Sequence, residues 1–221
     1  MRKTVKKENL TYLPLFLNIA GKRCVVVGGG RVALRKVRML LDFGAKVTVV
    51  SPELCLEISE LAEGGKIGAV KRVYSAGDLK GAFVAVAATG SGKTNQEVAE
   101  EARRLGVLVN VVDAPGLSDF IVPSYLRRGD VVIAVSTGGR SPALARKIRT
   151  ALEQGFGDEY AELASLVGEV RAEVRRLGIK LDGDAWRDAI ALDVLVDLLK
   201  QGKSQEARDM LLNELKKRRA R

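Results

Sequence analysis

The chain has 221 residues, of which 47% are hydrophobic and 29% charged, and its formal net charge is +10. This balance excludes a chain disordered over most of its length, and no apolar run reaches the roughly 20 residues that a membrane-spanning helix needs. Histidine is absent and the two cysteines, Cys24 and Cys55, are far apart, which excludes imidazole catalysis, histidine-bound metal and a disulfide framework. With no secretory signal pattern at its charged start, a soluble cytoplasmic protein without a metal site is expected.

The first half of the chain alternates between strand and helix patterns. Runs of small and β-branched apolar residues predict strands over residues 22–27, 47–50, 67–74, 83–88 and 107–112. Helices are predicted between them, each closed by glycine, over residues 31–43, 52–62 and 94–105. This alternation predicts an α/β fold with a Rossmann-like, doubly wound parallel sheet that helices cover on both faces.

The pattern changes after Asp113. Strands are predicted over residues 119–123 and 130–136 around a short turn at Gly129, and Ser141 with Pro142 begins a helix that runs to about residue 153. From residue 158 onward the pattern is helical, with breaks near residues 178–183 and 201–203. We therefore expect three parts: a sheet domain over 1–115, a small α+β segment over 116–153 and a helical domain over 154–221.

A glycine turn between the first strand and the first helix is the clearest motif. Gly28, Gly30 and Ala33 fit the pattern G-x-G-x-x-A. In dinucleotide-binding folds the first glycine permits a tight turn, the second admits a pyrophosphate close to the backbone, and the small third residue lets helix and strand pack closely. The context of strand and helix favours dinucleotide binding over an ordinary structural turn.

The end of the second strand discriminates between NAD and NADP. Ser51, Pro52 and Glu53 stand where NAD-binding folds place an acid for the ribose, and no arginine follows to bind a 2′-phosphate. NAD is therefore favoured, and Glu53 either reaches the ribose or begins the next helix, where an acid is favourable anyway. Thr89 ends the fourth strand and is predicted to line the same cleft. Asn95 either lines the cleft with it or is simply an early residue of the next helix.

Longer blocks of sequence carry a more specific signal than the glycine turn. They are Leu-Pro-Leu-Phe at 13–16, Val-Gly-Gly-Gly-Arg-Val-Ala at 27–33 with Arg35 and Lys36, Asn-Val-Val-Asp-Ala-Pro at 110–115, Ser-Asp-Phe-Ile-Val-Pro-Ser at 118–124, and Ala-Val-Ser-Thr-Gly-Gly-Arg-Ser-Pro-Ala-Leu-Ala-Arg at 134–146. In this order they resemble the precorrin-2 dehydrogenase family, which includes the N-terminal part of bacterial sirohaem synthase and the yeast bifunctional dehydrogenase–chelatase.

The resemblance implies a homodimeric enzyme that oxidises precorrin-2 to sirohydrochlorin with NAD, the segment after Asp113 forming much of the dimer contact. It implies that Asp113 is the catalytic residue and that Ser136 and Thr137 lie by the tetrapyrrole. The cofactor residues that it implies, to which we add Asn110 from the Asp113 block, are Gly28, Gly30, Arg31, Val32, Pro52 and Glu53. Some members of the family also insert Fe²⁺, which in a chain without histidine would depend on carboxylates, chiefly Asp113.

The charge pattern is compatible with such a substrate. Residues 123–149 contain six basic side chains and one acid, and arginine binds carboxylates in bidentate geometry. Arg140 and Arg146 are therefore predicted, with Ser136 and Thr137, to bind the polycarboxylate macrocycle. Oxidation also requires a proton acceptor, and without histidine a carboxylate such as Asp113 is the natural one.

The basic ends of the chain support a different interpretation. Residues 1–10 and 201–221 carry most of the excess positive charge, which is typical of solvated tails but also of segments that contact nucleic acid. The alternative function is thus an NAD-sensing regulator whose tails bind nucleic acid or another partner. No recognition-helix pattern supports it, so neither a membrane nor a specific nucleic acid is expected as a partner.

Overall fold

A five-stranded parallel sheet organises the first part of the molecule. The computed structural model describes residues 11–218, and the chain divides into two compact units between Val122 and Pro123. The strands of the sheet are β1 (Arg23–Val27), β2 (Lys46–Val50), β3 (Gly68–Val70), β4 (Val84–Ala87) and β5 (Leu108–Val111). They lie side by side in the order β3-β2-β1-β4-β5, all parallel. The order reverses between β1 and β4, which confirms the predicted doubly wound sheet.

Alternate residues of β1 face two apolar layers. Cys24 and Val26 pack with the buried side chains of the helices α1 (Arg31–Asp42) and α2 (Leu56–Glu63). Val25 and Val27 face the other layer, which contains the buried side chains of α3 (Gly92–Leu105). Because the side chains of a strand alternate between faces, a continuous apolar run such as this one is covered on both sides. The sheet is therefore buried on both faces, as the sequence predicts.

The predicted helix over residues 52–62 begins later, at Leu56. The residues expected to form its first turn lie against the glycine turn instead, because the Cys55 N–H donates a hydrogen bond of 2.8 Å to the Gly29 carbonyl. The Ser51 hydroxyl donates to the Glu53 carbonyl at 2.7 Å and bends the chain further. These bonds hold residues 51–55 beside β1 in a non-helical conformation, so Pro52 and Glu53 are loop residues.

Two predicted strands are also wrong in extent or place. The strand predicted over residues 67–74 ends at Val70, because Arg72 turns toward Asp78 and makes two hydrogen bonds of 2.8 and 2.6 Å with its carboxylate. Residues 119–123 are not a strand. Asp119 lies along β5 instead, where its N–H donates to the Val109 carbonyl at 2.8 Å and its carboxylate accepts the Val109 N–H at 2.9 Å.

The second unit combines a hairpin with helices. Strands β6 (Ser124–Arg128) and β7 (Val131–Val135) pair in antiparallel register around Gly129, whose φ is 56°. The helices of this unit are α4 (Pro142–Glu153), α5 (Glu159–Arg176), α6 (Gly183–Ala189), α7 (Leu192–Lys200) and α8 (Ser204–Arg218). A separate apolar core joins α5 to α8, with Val170, Leu195, Leu211 and Leu215 fully buried.

The predicted helical pattern of the C-terminal part is confirmed, with one further break at Ile190 and Ala191. The division into three parts at residues 115 and 153 stays a prediction beside the observed two units. Within residues 11–218, none of the helices combines the length and the apolarity needed to cross a bilayer. Of the basic ends, residues 1–10 and 219–221 lie outside the described residues.

Candidate functional site

A cavity of about 640 Å³ opens at the carboxyl ends of β1, β2 and β4. This is the switch point of the sheet, where doubly wound folds bind their ligands. Its lining comes from four strand ends and the segments that follow them: Val27–Gly30 at β1, Val50–Cys55 at β2, Val73 and Tyr74 beyond β3, and, after β4, Ala88–Ser91 with Thr94 of α3. Among the predicted cofactor residues, the cavity brings together Gly28, Gly30, Ser51, Pro52, Glu53 and Thr89.

The three glycines of the turn have different steric surroundings. A Cβ on Gly28, whose φ is +124°, would lie 2.4 Å from the Ala88 carbonyl oxygen. A Cβ on Gly29 would lie 1.9 Å from the Glu53 carbonyl oxygen, although the motif treats this position as variable. At Gly30 a Cβ would meet no atom within 4 Å. Gly28 and Gly29 therefore let neighbouring loops pack on the turn, whereas Gly30 leaves open space above it.

The N-terminus of α1 begins at this open space. Gly30 is its N-cap, no side chain caps it, and its first turn contains no acidic residue. The first N–H groups of a helix have no partner within the helix and carry partial positive charge, so they suit a phosphate. Arg31 and Val32, both predicted cofactor residues, belong to this first turn and supply backbone N–H groups there. The residues present thus fit a dinucleotide's pyrophosphate.

The loop after β2 supplies the charge of the site. Ser51 is buried and its hydroxyl is engaged with the Glu53 carbonyl, so it anchors the loop. Glu53 lies three residues before α2, outside that helix, and is one of the residues that line the cavity. Among the described residues that line the cavity, Glu53 is the one with a charged side chain, and neither lysine nor arginine lines it. Such a lining accepts ribose hydroxyls and offers no cation to a 2′-phosphate.

Asn95 holds Thr89 in the wall of the cavity. The Thr89 hydroxyl donates to the Asn95 side-chain oxygen at 2.7 Å, and the Asn95 amide donates back to the Thr89 carbonyl at 3.2 Å. Asn95 itself is not among the lining residues. Neither interpretation of Asn95 describes this geometry, because Asn95 does not line the cavity but holds Thr89 from behind.

Asp113 follows β5 in an unusual backbone conformation. Its φ of 58° makes it the one non-glycine residue with positive φ in the described part of the chain, and it is exposed to solvent. The Ser118 hydroxyl accepts the Val111 N–H at 2.9 Å and donates to the Ala114 carbonyl at 3.0 Å, which fixes the turn around Asp113. Strained backbone of this kind clusters at functional sites.

Two neighbours complete the surroundings of Asp113. Lys36 is half-buried at the edge of the buried stripe of α1. Burial and then Arg35 lower its pKa, while the charge of Asp113 acts in the opposite direction. Asn110 is buried, and its amide donates to the Phe120 carbonyl at 3.0 Å. The cavity lining does not include Asn110, Arg31 or Val32. Direct contact between the cofactor and the Asn110 side chain therefore stays a prediction.

The predicted substrate residues lie in the second unit: Ser136, Thr137 and Arg140 on the loop between β7 and α4, and Arg146 on α4. The Thr137 hydroxyl donates to the Ser141 carbonyl and accepts the Ser141 N–H, both at 3.0 Å, while the Ser136 hydroxyl accepts the Gly138 N–H at 3.1 Å. The Ser141 hydroxyl in turn caps α4 by accepting the Leu144 N–H at 3.2 Å. These bonds shape the loop, so both hydroxyls have a structural role as well.

The six basic residues between positions 123 and 149 fall into two groups. Three are engaged internally: Arg127 with the Gly129 carbonyl, Arg128 with the Phe156 carbonyl and Asp158, and Arg149 with Glu153. Arg140, Arg146 and Lys147 are exposed. The exposed group includes both arginines that the sequence assigns to substrate binding. Among residues 11–218, no three carboxylate or thiol side chains cluster closely enough to hold a metal ion.

Sequence reasoning missed one element of the cavity wall. Tyr74 was placed inside a strand, but it lines the cavity and its hydroxyl donates to the buried carboxyl of Glu101. Burial and this bond to Glu101 raise the pKa of Tyr74. The signal that could have found the pair is Glu101 itself, an acid on the apolar stripe of α3 formed by Val98 and Ala102.

Comparison with known proteins gives two matching family models and several relatives. The family model described as "Putative NAD(P)-binding" matches residues 15–124, and the one described as "Sirohaem biosynthesis protein central" matches residues 128–154. A siroheme synthase of Nitrosococcus oceani is 38% identical over 204 residues, which are 91% of this chain and 43% of that protein. One of Nitrosospira multiformis is 40% identical over 211 residues, which are 93% of this chain and 45% of that protein.

The chain thus spans less than half the length of these curated relatives. A solved structure described as "SirC, precorrin-2 dehydrogenase" superimposes with a TM-score of 0.69 at 24% identity, covering 93% of this chain and 100% of that one, and it supports the fold. Together with the glycine turn, the Asp113 block and the serine–threonine loop, these matches identify the chain as a member of the precorrin-2 dehydrogenase family, the family of the N-terminal module of sirohaem synthase.

Proposed function

We propose that the protein oxidises precorrin-2 to sirohydrochlorin with NAD, a step in the formation of sirohaem. The observation that carries the proposal is the cavity over the glycine turn, which has an uncapped helix N-terminus for phosphate and Glu53 as its charged lining residue. The siroheme synthases among the relatives supply the substrate class. The nicotinamide of the bound cofactor accepts the hydride, and the chain supplies binding, orientation and a proton acceptor.

The lining of the cavity supports NAD rather than NADP. A 2′-phosphate would approach Glu53, whose carboxylate repels it, and no basic side chain lines the described wall. Ribose hydroxyls, in contrast, donate hydrogen bonds to a carboxylate. Pro52 limits the freedom of the loop, and the Ser51 hydrogen bond fixes the Glu53 backbone. In this proposal Glu53 is the residue that selects the cofactor.

Asp113 is proposed as the proton acceptor. Loss of a hydride from precorrin-2 leaves a cation, and loss of a proton from that cation yields sirohydrochlorin, so products are sirohydrochlorin, NADH and a proton. Asp113 follows β5, next to β4 in the sheet, and its turn is held by Ser118. Its exposed carboxylate is free to meet a large substrate. The proposal accordingly makes Asp113 the catalytic residue.

The second unit is proposed to bind the macrocycle's carboxylates and to form the dimer. Arg140 and Arg146 are exposed and suit bidentate carboxylate binding. Ser136 and Thr137 lie on the same loop as Arg140, and Arg146 lies on α4. Leu144 and Ile148 are 50% and 39% exposed on one face of α4, which supports a contact between two copies of the chain. Light scattering that returned a monomer mass would remove the dimer from the proposal. Cytoplasmic location also stays a prediction.

The assay that tests the function mixes the full chain with authentic precorrin-2 and NAD. We expect NADH absorbance and the sirohydrochlorin spectrum to rise together, and neither to rise when NAD is omitted. An arm with Fe²⁺ tests whether the product is converted further to sirohaem. Absence of both signals with authentic substrate would show that the proposed oxidation is wrong. A chain without residues 1–10 and 216–221 should keep its turnover, whereas the alternative regulator requires those basic ends.

The position of the cofactor is testable through the two cysteines. Cys24 is fully buried and burial raises its pKa to about 11, so it is unreactive in the folded protein. Cys55 is half-buried and lines the cavity. Iodoacetamide is therefore expected to alkylate Cys55, and NAD at about ten times its Kd should slow that reaction roughly tenfold. Peptide mass spectrometry identifies the labelled residue.

The Cys55→Ser variant is the matched control for this labelling. Its folded form should remain unlabelled, and Cys24 should react only after unfolding in denaturant. If NAD leaves the rate of Cys55 alkylation unchanged although it binds, the cofactor does not occupy this cavity. Labelling of Cys24 in the folded protein would contradict its burial.

A further inference from the structure

The cavity gives the bound dinucleotide a direction along the sheet. Its pyrophosphate belongs over the turn after β1, and its adenosine ribose belongs beside Glu53, after β2. The strand order places β3 next to β2 and β4 on the other side of β1. A dinucleotide bound in this way would direct its adenine, which lies beyond that ribose, toward the residues that follow β3, and its nicotinamide toward β4 and β5. Val73 and Tyr74 are the lining residues on the β3 side.

The wall on this side is apolar and held from behind. Val73 is 68% exposed, and the half-buried ring of Tyr74 lies beside it in the lining. The Tyr74 hydroxyl donates to one oxygen of the Glu101 carboxyl, and the Gly77 N–H donates to the other at 2.8 Å. Both ends of the loop formed by residues 74–77 are thus fixed to a single side chain of α3.

The burial of Glu101 costs free energy that a purely structural role does not explain. It is 4% exposed and is the one acidic side chain among the buried residues of the described chain. Its two hydrogen-bond donors are neutral, and none of the ion pairs within residues 11–218 includes it, although the charge of Arg104 acts on the bonded Tyr74 hydroxyl. Burying a carboxyl without a cationic partner costs free energy, which an apolar side chain at this position of α3 would avoid.

We propose that Tyr74 forms the adenine-binding wall of the cavity and that Glu101 is the positioning residue that sets the orientation of its ring. A planar aromatic ring beside an apolar side chain suits a planar heterocycle, which stacks on it with an offset. The hydroxyl, held by Glu101, fixes the ring before the ligand arrives. The inference rests on the proposed function in one respect, namely that the ligand is an adenine dinucleotide.

Calorimetric titration of the full chain with AMP, NAD and inorganic pyrophosphate tests the inference. The Tyr74→Leu variant keeps an apolar side chain but removes the ring. It is expected to weaken the binding of AMP and NAD by the same factor, roughly three- to tenfold, because an aromatic stacking contact contributes about that much affinity. Pyrophosphate binding should not change, since it depends on the glycine turn alone.

The role of Glu101 is tested by non-additivity. Glu101→Gln, which is nearly isosteric, should weaken AMP binding in the otherwise native chain and have no further effect on it in the Tyr74→Leu background. Glu100→Gln is the matched control, because Glu100 is exposed on the same helix and bonds only to Gln96 among the described residues. It should leave AMP binding unchanged.

The outcomes separate this inference from the proposed function. Unchanged AMP affinity in Tyr74→Leu would overturn the adenine wall, and equal effects of Glu101→Gln in both backgrounds would overturn the positioning role. A lower melting temperature with native AMP affinity in Glu101→Gln would likewise assign Glu101 to folding alone. If the native chain bound neither AMP nor NAD, the proposed function itself would fail. Tyr74→Phe, which retains the ring, gives a second folded variant and should bind AMP more tightly than Tyr74→Leu.

Discussion

The Asp113→Asn variant is expected to lose at least about a hundredfold in kcat for precorrin-2 oxidation, while its Kd for NAD stays near the native value. A positioned general base contributes roughly 10²–10⁴-fold to the rate, and an amide cannot accept the proton. Asparagine tolerates a positive φ as well as aspartate does, so the backbone at 58° should be retained. Steady-state kinetics with precorrin-2 and calorimetry with NAD measure the two quantities separately.

Asp130→Asn is the matched control for this experiment. Asp130 is exposed in the turn between β6 and β7, and its substitution removes the same charge from the chain. It should leave kcat within about twofold of the native value, because surface substitutions of this kind have small effects. Native turnover in Asp113→Asn would remove Asp113 from the mechanism, and loss of NAD affinity would assign it to cofactor binding.

The second large effect is expected from alanine at each glycine of the turn. Gly30→Ala should fold normally and lose at least about tenfold in NAD affinity, because its methyl group takes up the open space where the phosphate approaches. Gly28→Ala and Gly29→Ala should instead lose at least about 2 kcal/mol of unfolding free energy, because their Cβ atoms would meet carbonyl oxygens at 2.4 and 1.9 Å.

Urea denaturation and NAD titration of the same three variants distinguish the two effects. Gly30→Ala serves as the folded control for the other two, since its φ is −88°, which alanine adopts without strain. Native NAD affinity in Gly30→Ala would show that the pyrophosphate does not lie over this turn. Native stability in Gly29→Ala would show that the loop at Glu53 moves away at little cost.

The sequence predicted the sheet because its strands are local signals. The Val-rich run of β1, the glycine stop after it and the helical stripe of α1 all lie within about twenty residues. The three elements that were wrong depend on individual hydrogen bonds that hydrophobic periodicity does not predict. Cys55 bonds to Gly29, Arg72 to Asp78 and Asp119 to Val109, and in each case the contact takes up backbone that periodicity alone assigned to a strand or helix.

The residues of the candidate site also divide into those that the sequence pattern predicts and those that it does not. Gly28, Gly30 and Glu53 were predictable because their spacing follows from how a dinucleotide meets a strand, a turn and a helix. Tyr74 was not, because it reaches the cavity through a loop whose course depends on Glu101, 27 residues away. Lys36 and Glu101 are charged residues within or beside apolar helix stripes. A charged residue in such a position is the general sequence signal of a contact with a polar group from another element.

The three buried polar side chains of the described chain have one consequence for ligand binding. Ser51, Glu101 and Asn110 each fix a loop at the carboxyl edge of the sheet through a hydrogen bond within the protein. Much of the entropy needed to order these loops is therefore lost when the polypeptide folds, and little remains to be lost when a nucleotide enters. Such pre-organisation lets a site of modest contact area hold its ligand without a closing lid.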